Sequence, residues 1–331
     1  MKSSAKQFRY YIEWIALNCM KFIIPLIPRT LLLPIAKSLG TTAYIFDRRG
    51  RKTGIANIQS TNELKGISDS NAAELILKSY QSFTLSMCDL FWASNINETN
   101  YSKFIQVEFE NREACEKARQ NGAIWVTPHY GNFELISLVM GFYKTKFTVV
   151  AQDFKNPRLT EIFKRAREHS GHKVISSKRA MVRLFKTLKS AENVAFLTDL
   201  TVPPGAESIP IRCFSLITSV TRLHAFLHSK TNAPIIPGIS IPCSDGTYIM
   251  KVLSPLDIPD GCDETAIAQK CWDIFEPYIR EFPEPWLWMY RHWKYKPRET
   301  VNENYPYYSH TSKKFDAWIK ESKKKLNAHR R

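Results

Sequence analysis

The stretch AIWVTPHYGNFELISL, residues 123–138, is apolar at its start, breaks at Pro-His-Tyr-Gly-Asn, and then turns apolar again. Its first five residues read as a buried strand, and the Gly-Asn pair marks the turn that leads into a helix over 132–143. A strand that only filled a core would not need polar residues at its end. Here His129 sits directly after the strand and Glu134 falls in the first turn or two of the helix.

The same alternation continues downstream. Strands are expected at FTVVAQ (147–152), KVIS (173–176), NVAFLTD (193–199), PIIPGISI (234–241) and YIMKVL (248–253). Helices are expected at NPRLTEIFKRAREHSG, opened by Asn156 and Pro157 and closed by Gly171, at RAMVRLFKTLK (179–189) and at TSVTRLHAFLHSK (218–230). Strands and helices alternating through short connections predict an α/β fold with a mostly parallel or mixed central sheet flanked by helices. Sites in such sheets gather at the carboxyl ends of strands. His129 follows one such strand and Asp199 closes another.

Residues 1 to about 120 read as helical, notably 71–93, with Asp69 and Ser70 as cap candidates. No internal repeat, low-complexity tract or Gly/Ser linker interrupts a chain with only 12 glycines. Residues 1–50 are expected to form an N-terminal helical region that associates with a membrane interface. The catalytic domain is expected over 51–305, its α/β core starting near 120, and a basic tail over 306–331. The membrane reading rests on residues 10–40, which are rich in Ile, Leu and aromatics, interrupted by Pro25, Pro28 and Pro34, and dotted with basic residues. Glu13 and Lys21 break the apolar run. It therefore falls short of the roughly 18 to 20 residues a span needs and reads as interfacial, with an ordinary buried hairpin as its alternative. In the tail, Phe315, Trp318 and Ile319 share one helical face among lysines, suited to an anionic membrane or to solvent.

Charge narrows the partners. Lys and Arg number 47 against 31 Asp and Glu, a formal net charge of +16, which points to an anionic partner: nucleic acid, an acidic membrane face, or an acidic carrier protein or phosphate-bearing substrate. No P-loop, helix-turn-helix, RRM or zinc-finger pattern supports nucleic acid. The seven cysteines are scattered without a CxxC pair, so neither a disulfide framework nor a zinc module is expected. His224 and His228 lie four apart on an expected helix, but no third ligand is spaced to join them, and no metal is expected. His169 and His172 flank Gly171 and read as surface residues.

The chemistry that suits His129 is general-base catalysis. A neutral imidazole accepts a proton at one nitrogen while its other N–H needs an acceptor to fix the tautomer, and Glu134 is the carboxylate at hand. Gly131 would allow the tight path between them, and the N–H groups near Gly131 and Asn132 would stabilise an oxyanion. With no Ser or Cys nucleophile nearby, the pair suits direct attack by an acceptor's own hydroxyl.

TPHYGNFEL resembles the H-x4-D/E motif of the lysophospholipid acyltransferase superfamily, and specifically of bacterial lipid A biosynthesis (lauroyl or myristoyl) acyltransferases. The likeness extends to LPIAKSLGTTAYIFDRRGRKTGIANIQ, NPRLTEIFKRAREHSGHKVIS, FLTDL, TNAPIIPGI and PEPWLWMYRHWKYKP, so it covers nearly the whole chain. The resemblance implies an O-acyltransferase without a cofactor, on the cytoplasmic face of a bacterial inner membrane. It would move an acyl chain from acyl carrier protein or coenzyme A to a hydroxyl of lipid A precursor or a related glycolipid. It carries over His129 as base, Glu134 as orienting acid, Arg167 as a phosphate or oxyanion ligand, and Asp199 as the residue that locks Arg167 or positions the acceptor. TDLTVPPG and IPIRCFSLITS depart from the family pattern where acceptor and acyl chain would be shaped. The alternatives are an acyltransferase acting on a lysophospholipid or other lipid, from which an EGT-like motif is missing, and a basic membrane- or nucleic-acid-binding module.

Overall fold

The computed structural model, which describes residues 2–61, 68–298 and 304–328, opens with helices α1 (Lys2–Ile23), α2 (Arg29–Phe46), α3 (Arg48–Ser60) and α4 (Asp69–Trp92). Strand β1 (Ile105–Phe109) and helix α5 (Arg112–Gln120) lead to β2 (Ile124–Thr127), α6 (Phe133–Phe142), β3 (Phe147–Ala151), α7 (Pro157–Glu168), β4 (Lys173–Ser176), α8 (Ala180–Lys189) and β5 (Asn193–Leu197). A hairpin of β6 (Ser208–Cys213) and β7 (Leu216–Thr221) precedes α9 (Leu223–Thr231), β8 (Ile235–Pro242), β9 (Tyr248–Val252) and α10 (Glu264–Glu281). The chain closes with β10 (Tyr295–Lys296), β11 (His310–Thr311) and α11 (Lys313–Ala328).

Seven strands form the central sheet in the order β1-β9-β8-β2-β5-β3-β4, parallel throughout except where β8 meets β9. Period-two alternation sorts their side chains into two layers. Ile124, Val126, Val194, Phe196, Ile235 and Ile239 face one core, shared with α10 and the tryptophans Trp286, Trp288 and Trp293. Trp125 and Ile236 face the other, shared with Leu32 and Ala36 of α2, Phe91 and Trp92 of α4, and the apolar side of α6. Helix α4 reaches both, with Ile76 and Tyr80 in the first and Cys88, Phe91 and Trp92 in the second.

The α/β architecture expected from the sequence is the one observed, and several elements differ in detail. β1 lies in a region expected to be helical. It is an edge strand with one fully buried residue, Ile105, and so leaves little hydrophobic signal. The β6–β7 hairpin occupies the start of the helix expected at 218–230, which begins at Leu223. Its turn residues, Phe214 and Ser215, have φ of 48° and 69°, a conformation usually announced by Asn-Gly, so no turn signal is written in the sequence. α10 was not anticipated, and the side chain capping α4 is that of Ser68. Phe315 is buried against the protein and is not offered to a surface. No helix among the described residues is long and apolar enough to cross a membrane.

Candidate active site

β2 and β5 pair in parallel with Thr127 opposite Leu197. The chain then continues two residues past the end of each strand, to His129 and Asp199, so the register brings these two residues side by side beyond the carboxyl edge of the sheet. His129 Nδ1 lies 2.7 Å from Asp199 Oδ1, and Asp199 Oδ2 accepts from both the His129 backbone N–H and Trp286 Nε1–H, each at 2.9 Å. Asp199 is completely buried. Burial by itself would push its carboxyl up; the His129 ring, its hydrogen bond, His292 and the Trp286 N–H outweigh that and hold it at about 2. An ionised carboxylate only accepts, so Nδ1 carries the proton and the lone pair sits on Nε2. That nitrogen has no partner among the described residues and is not sealed from solvent.

The pairing differs from the one expected from the sequence: Glu134 does not hold His129. Asn132 caps α6, its Oδ1 accepting from Leu135 N–H at 2.9 Å, which makes Phe133 and Glu134 the first two helical residues. Consecutive helical side chains point about 100° apart. Phe133 turns its ring edge-on to His129, 4.8 Å between centroids, and Glu134 is thereby directed to α7. There Arg167 clasps it with both arms of the guanidinium, Nε to Oε2 at 2.9 Å and Nη2 to Oε1. Burial would lower the Arg167 pKa, but the Glu134 charge more than compensates, and it is raised. Nη1 of Arg167 has no partner among the described residues. Asp199, expected to lock Arg167 or the acceptor, locks the imidazole instead.

Gly131 and Asn132 are also placed differently from their expected role. The Gly131 N–H donates to the Pro285 carbonyl at 3.2 Å and the Asn132 N–H to Ser240 Oγ at 3.1 Å, so neither is free to serve an oxyanion. The need for glycine is real: φ is +56°, and a Cβ at residue 131 would stand 2.1 Å from the Ser240 carbonyl oxygen. The N–H groups of Phe133 and Glu134, next along the helix start, have no intramolecular acceptor among the described residues.

Residues that the sequence reading passed over build the surrounding frame. Trp286 stacks on His292 at 4.0 Å, and Tyr130 bridges to Trp286 in the backbone. Asn57 of α3 donates to the carbonyls of Trp288 and Tyr290 at 2.7 and 2.8 Å, and Ser79 of α4 donates to that of Trp286. Beneath the turn, the fully buried Asp89 of α4 accepts from Asn132 Nδ2 at 2.7 Å, from Tyr248 OH at 3.1 Å and from both arms of Arg29. The N-terminal helices thus reach the site at second hand: Arg29 through Asp89 to the α6 cap, Asn57 through the Trp-rich segment to Asp199. PEPWLWMYRHW was the signal for the latter; a lone Asp inside a helical pattern gave none for the former.

Among the described residues no group of three or more His, Cys, Asp or Glu could hold a metal. His228 Nδ1 donates to the Ala233 carbonyl at 2.8 Å, and His224 is buried away from it with neither nitrogen bonded. Contrary to the surface reading, His172 is a core residue, accepting the Phe147 N–H at Nδ1 and reaching the Ser137 carbonyl with Nε2, whereas His169 is exposed.

A base-bearing His at a strand end, oriented by a buried acid, fits several reaction classes; sequence comparison selects among them. The sequence model for the bacterial lipid A biosynthesis acyltransferases matches residues 1–295. The chain belongs to that family. It is similar to a lipid A biosynthesis acyltransferase of Haemophilus influenzae, 21% identical over 90% of this chain and 94% of the relative. It is also similar to a lipid A biosynthesis lauroyltransferase of Escherichia coli, 20% identical over 87% of this chain and 93% of the relative. Membership makes the protein an acyltransferase of lipid A biosynthesis. In this acyltransferase the matched region contains His129, Glu134, Arg167, Asp199 and Trp286.

Proposed function

We propose that the acyltransferase works through the His129–Asp199 pair, with Arg167 and Glu134 as a second, supporting pair. The observation that carries this reading is the open Nε2 of an imidazole whose Nδ1 is tied to a buried carboxylate at 2.7 Å. Nε2 takes the proton from the acceptor hydroxyl as its oxygen attacks the thioester carbonyl. The tetrahedral oxyanion collapses, the carbon–sulfur bond breaks, and the thiolate leaves with the proton held by the imidazolium, giving ester and free thiol. Asp199 holds the ring and offsets its transient charge.

Arg167 Nη1 is the cation available to the developing oxyanion or to an acceptor phosphate, and the unbonded N–H groups of Phe133 and Glu134 replace those of Gly131 and Asn132 as candidate donors. Glu134 acts by fixing the guanidinium. The donor is an acyl thioester of acyl carrier protein or coenzyme A, and the acceptor a hydroxyl of a lipid A precursor or related glycolipid. Both suit a chain of net charge +16. α1 and α2 rest on the cytoplasmic face of the inner membrane. Phe8, Tyr11, Ile12, Ile15 and Phe22 of α1, and Leu26 in the connection to α2, are exposed although apolar. Residues 51–305 carry the catalytic unit and 306–331 the basic tail.

Replacing His129 by Ala in folded, purified protein should lower transfer to a lipid A precursor by about 10²- to 10⁴-fold, the share a general base supplies. Near wild-type transfer by that variant would end the mechanism.

A further inference from the structure

Where α2 ends and α3 begins, the chain reads YIFDRRGRKTG, residues 44–54. A cavity of about 330 Å³ opens there, lined by Arg48, Arg51, Lys52, Gln59 and Tyr307 together with the apolar Ile55 and Ala56. None of its three cations has a carboxylate partner among the described residues. Arg51 is fixed by the end of α2: Nη1 donates to the carbonyls of Tyr44 and Ile45 at 2.8 and 3.2 Å, and the guanidinium lies over the Tyr44 ring. Lys52 Nζ stands 4.5 Å from the centre of the Tyr307 ring. The nearest acid in sequence, Asp47, is turned elsewhere, accepting the Gly50 N–H at 2.9 Å and the Tyr80 hydroxyl at 2.8 Å.

A second observation says from which side a ligand comes. Leu31, Ile35 and Leu39 lie at four-residue spacing on α2 and are exposed, and Phe46 at its end is 80% exposed. The stripe ends next to a residue that touches the cavity's lining: Ile45, exposed beside Phe46, lends its carbonyl to Arg51. A stripe that enters the acyl boundary of a membrane would carry the cavity to headgroup depth, where lipid phosphates lie.

We propose that this cavity is a binding site for the phosphorylated headgroup of an anionic lipid, distinct from the acyl-transfer centre and serving to seat the enzyme on its membrane. The proposal rests on the membrane reading of the N-terminal helices and adds to it a specific ligand chemistry. Arg48 and Lys52 supply charge to the phosphate, Arg51 holds a fixed donor geometry, and the Tyr307 hydroxyl with Gln59 Oε1, whose amide nitrogen already donates to Asp69 Oδ1 at 2.7 Å, offers polar partners to headgroup hydroxyls.

The test measures binding of the full chain to phosphatidylcholine vesicles with and without phosphatidylglycerol. Wild type should prefer the anionic vesicles. R48Q/K52Q should lower anionic-vesicle affinity by roughly 5-fold per charge, about 25-fold in all, and leave neutral-vesicle binding and transfer to detergent-dispersed substrate unchanged. K117Q/K230Q, which removes as much charge from exposed sites elsewhere, should lower affinity much less. Equal losses in the two double variants would overturn the site in favour of a diffuse field. In that case the membrane reading would survive as long as L39S/F46S still weakens binding to neutral vesicles. Binding of inorganic phosphate without any vesicle preference would overturn the lipid assignment, and a wild type that binds neither vesicle would overturn the site together with the reading beneath it.

Discussion

Asp199→Asn separates the observed pairing from the one the H-x4-E spacing suggested. The carboxylate accepts three hydrogen bonds, two on Oδ2, from the His129 N–H and Trp286 Nε1–H, and one on Oδ1, from the His129 ring. An asparagine has one oxygen to offer. Placed where two donors converge, that oxygen keeps both satisfied, and its NH2 must then face Nδ1. The ring answers by presenting a lone pair at Nδ1 and carrying its proton at Nε2, the tautomer that cannot accept a proton from the acceptor hydroxyl. The comparable change in a serine-protease triad costs about 10⁴ in turnover, and loss of a general base costs about 10² to 10⁴. We expect kcat/KM for thiol release, measured with a thiol-reactive dye at pH 7, to fall about 10³-fold. Stability supplies an independent reading. Because the Asp199 carboxyl lies at about 2 in the fold against an ordinary 3.8, ionisation contributes about 2 kcal/mol above pH 4 and loses it as pH falls toward 2. The denaturant-measured gap between wild type and variant should therefore narrow across that interval. Activity within about 10-fold of wild type at pH 7 would refute the tautomer argument, since that lies below the general-base range.

Two further substitutions test the frame around the site. Gly131→Ala must place a Cβ 2.1 Å from the Ser240 carbonyl oxygen at a φ of +56°, so the turn has to move; thermal melts should show a loss of several degrees and transfer should fall with it. Asp89→Ala leaves Arg29 nearly buried without its counter-charge and removes an acceptor from Asn132 and Tyr248. Chemical denaturation should register a loss of about 3 to 5 kcal/mol, while Arg29→Met with Asp89→Leu should recover part of it.

The sequence by itself settled the fold class, because alternating short apolar runs and amphipathic stretches leave few packings other than a helix-covered sheet, and it placed His129 and Asp199 at strand ends. It also offered Glu134 as the carboxylate at hand, and the family resemblance pointed to Arg167. Partnership was beyond it. His129 and Asp199 are 70 residues apart and meet only because β2 and β5 pair in register, while the spacing of five between His129 and Glu134 suggests a contact that the helix start turns aside. Linear spacing predicts neighbours reliably only within one regular element; across a turn, the N-cap decides which side chain faces which helix. Gly131 was legible as a tight turn, yet its N–H and that of Asn132 were consigned to Pro285 and Ser240 by strands and loops more than a hundred residues away. The partners of Asp89, Asn57 and Trp286 stayed hidden for the same reason: burial and hydrogen-bond partners are properties of the packed chain, fixed only when α3, α4 and the Trp-rich segment close over the end of the sheet.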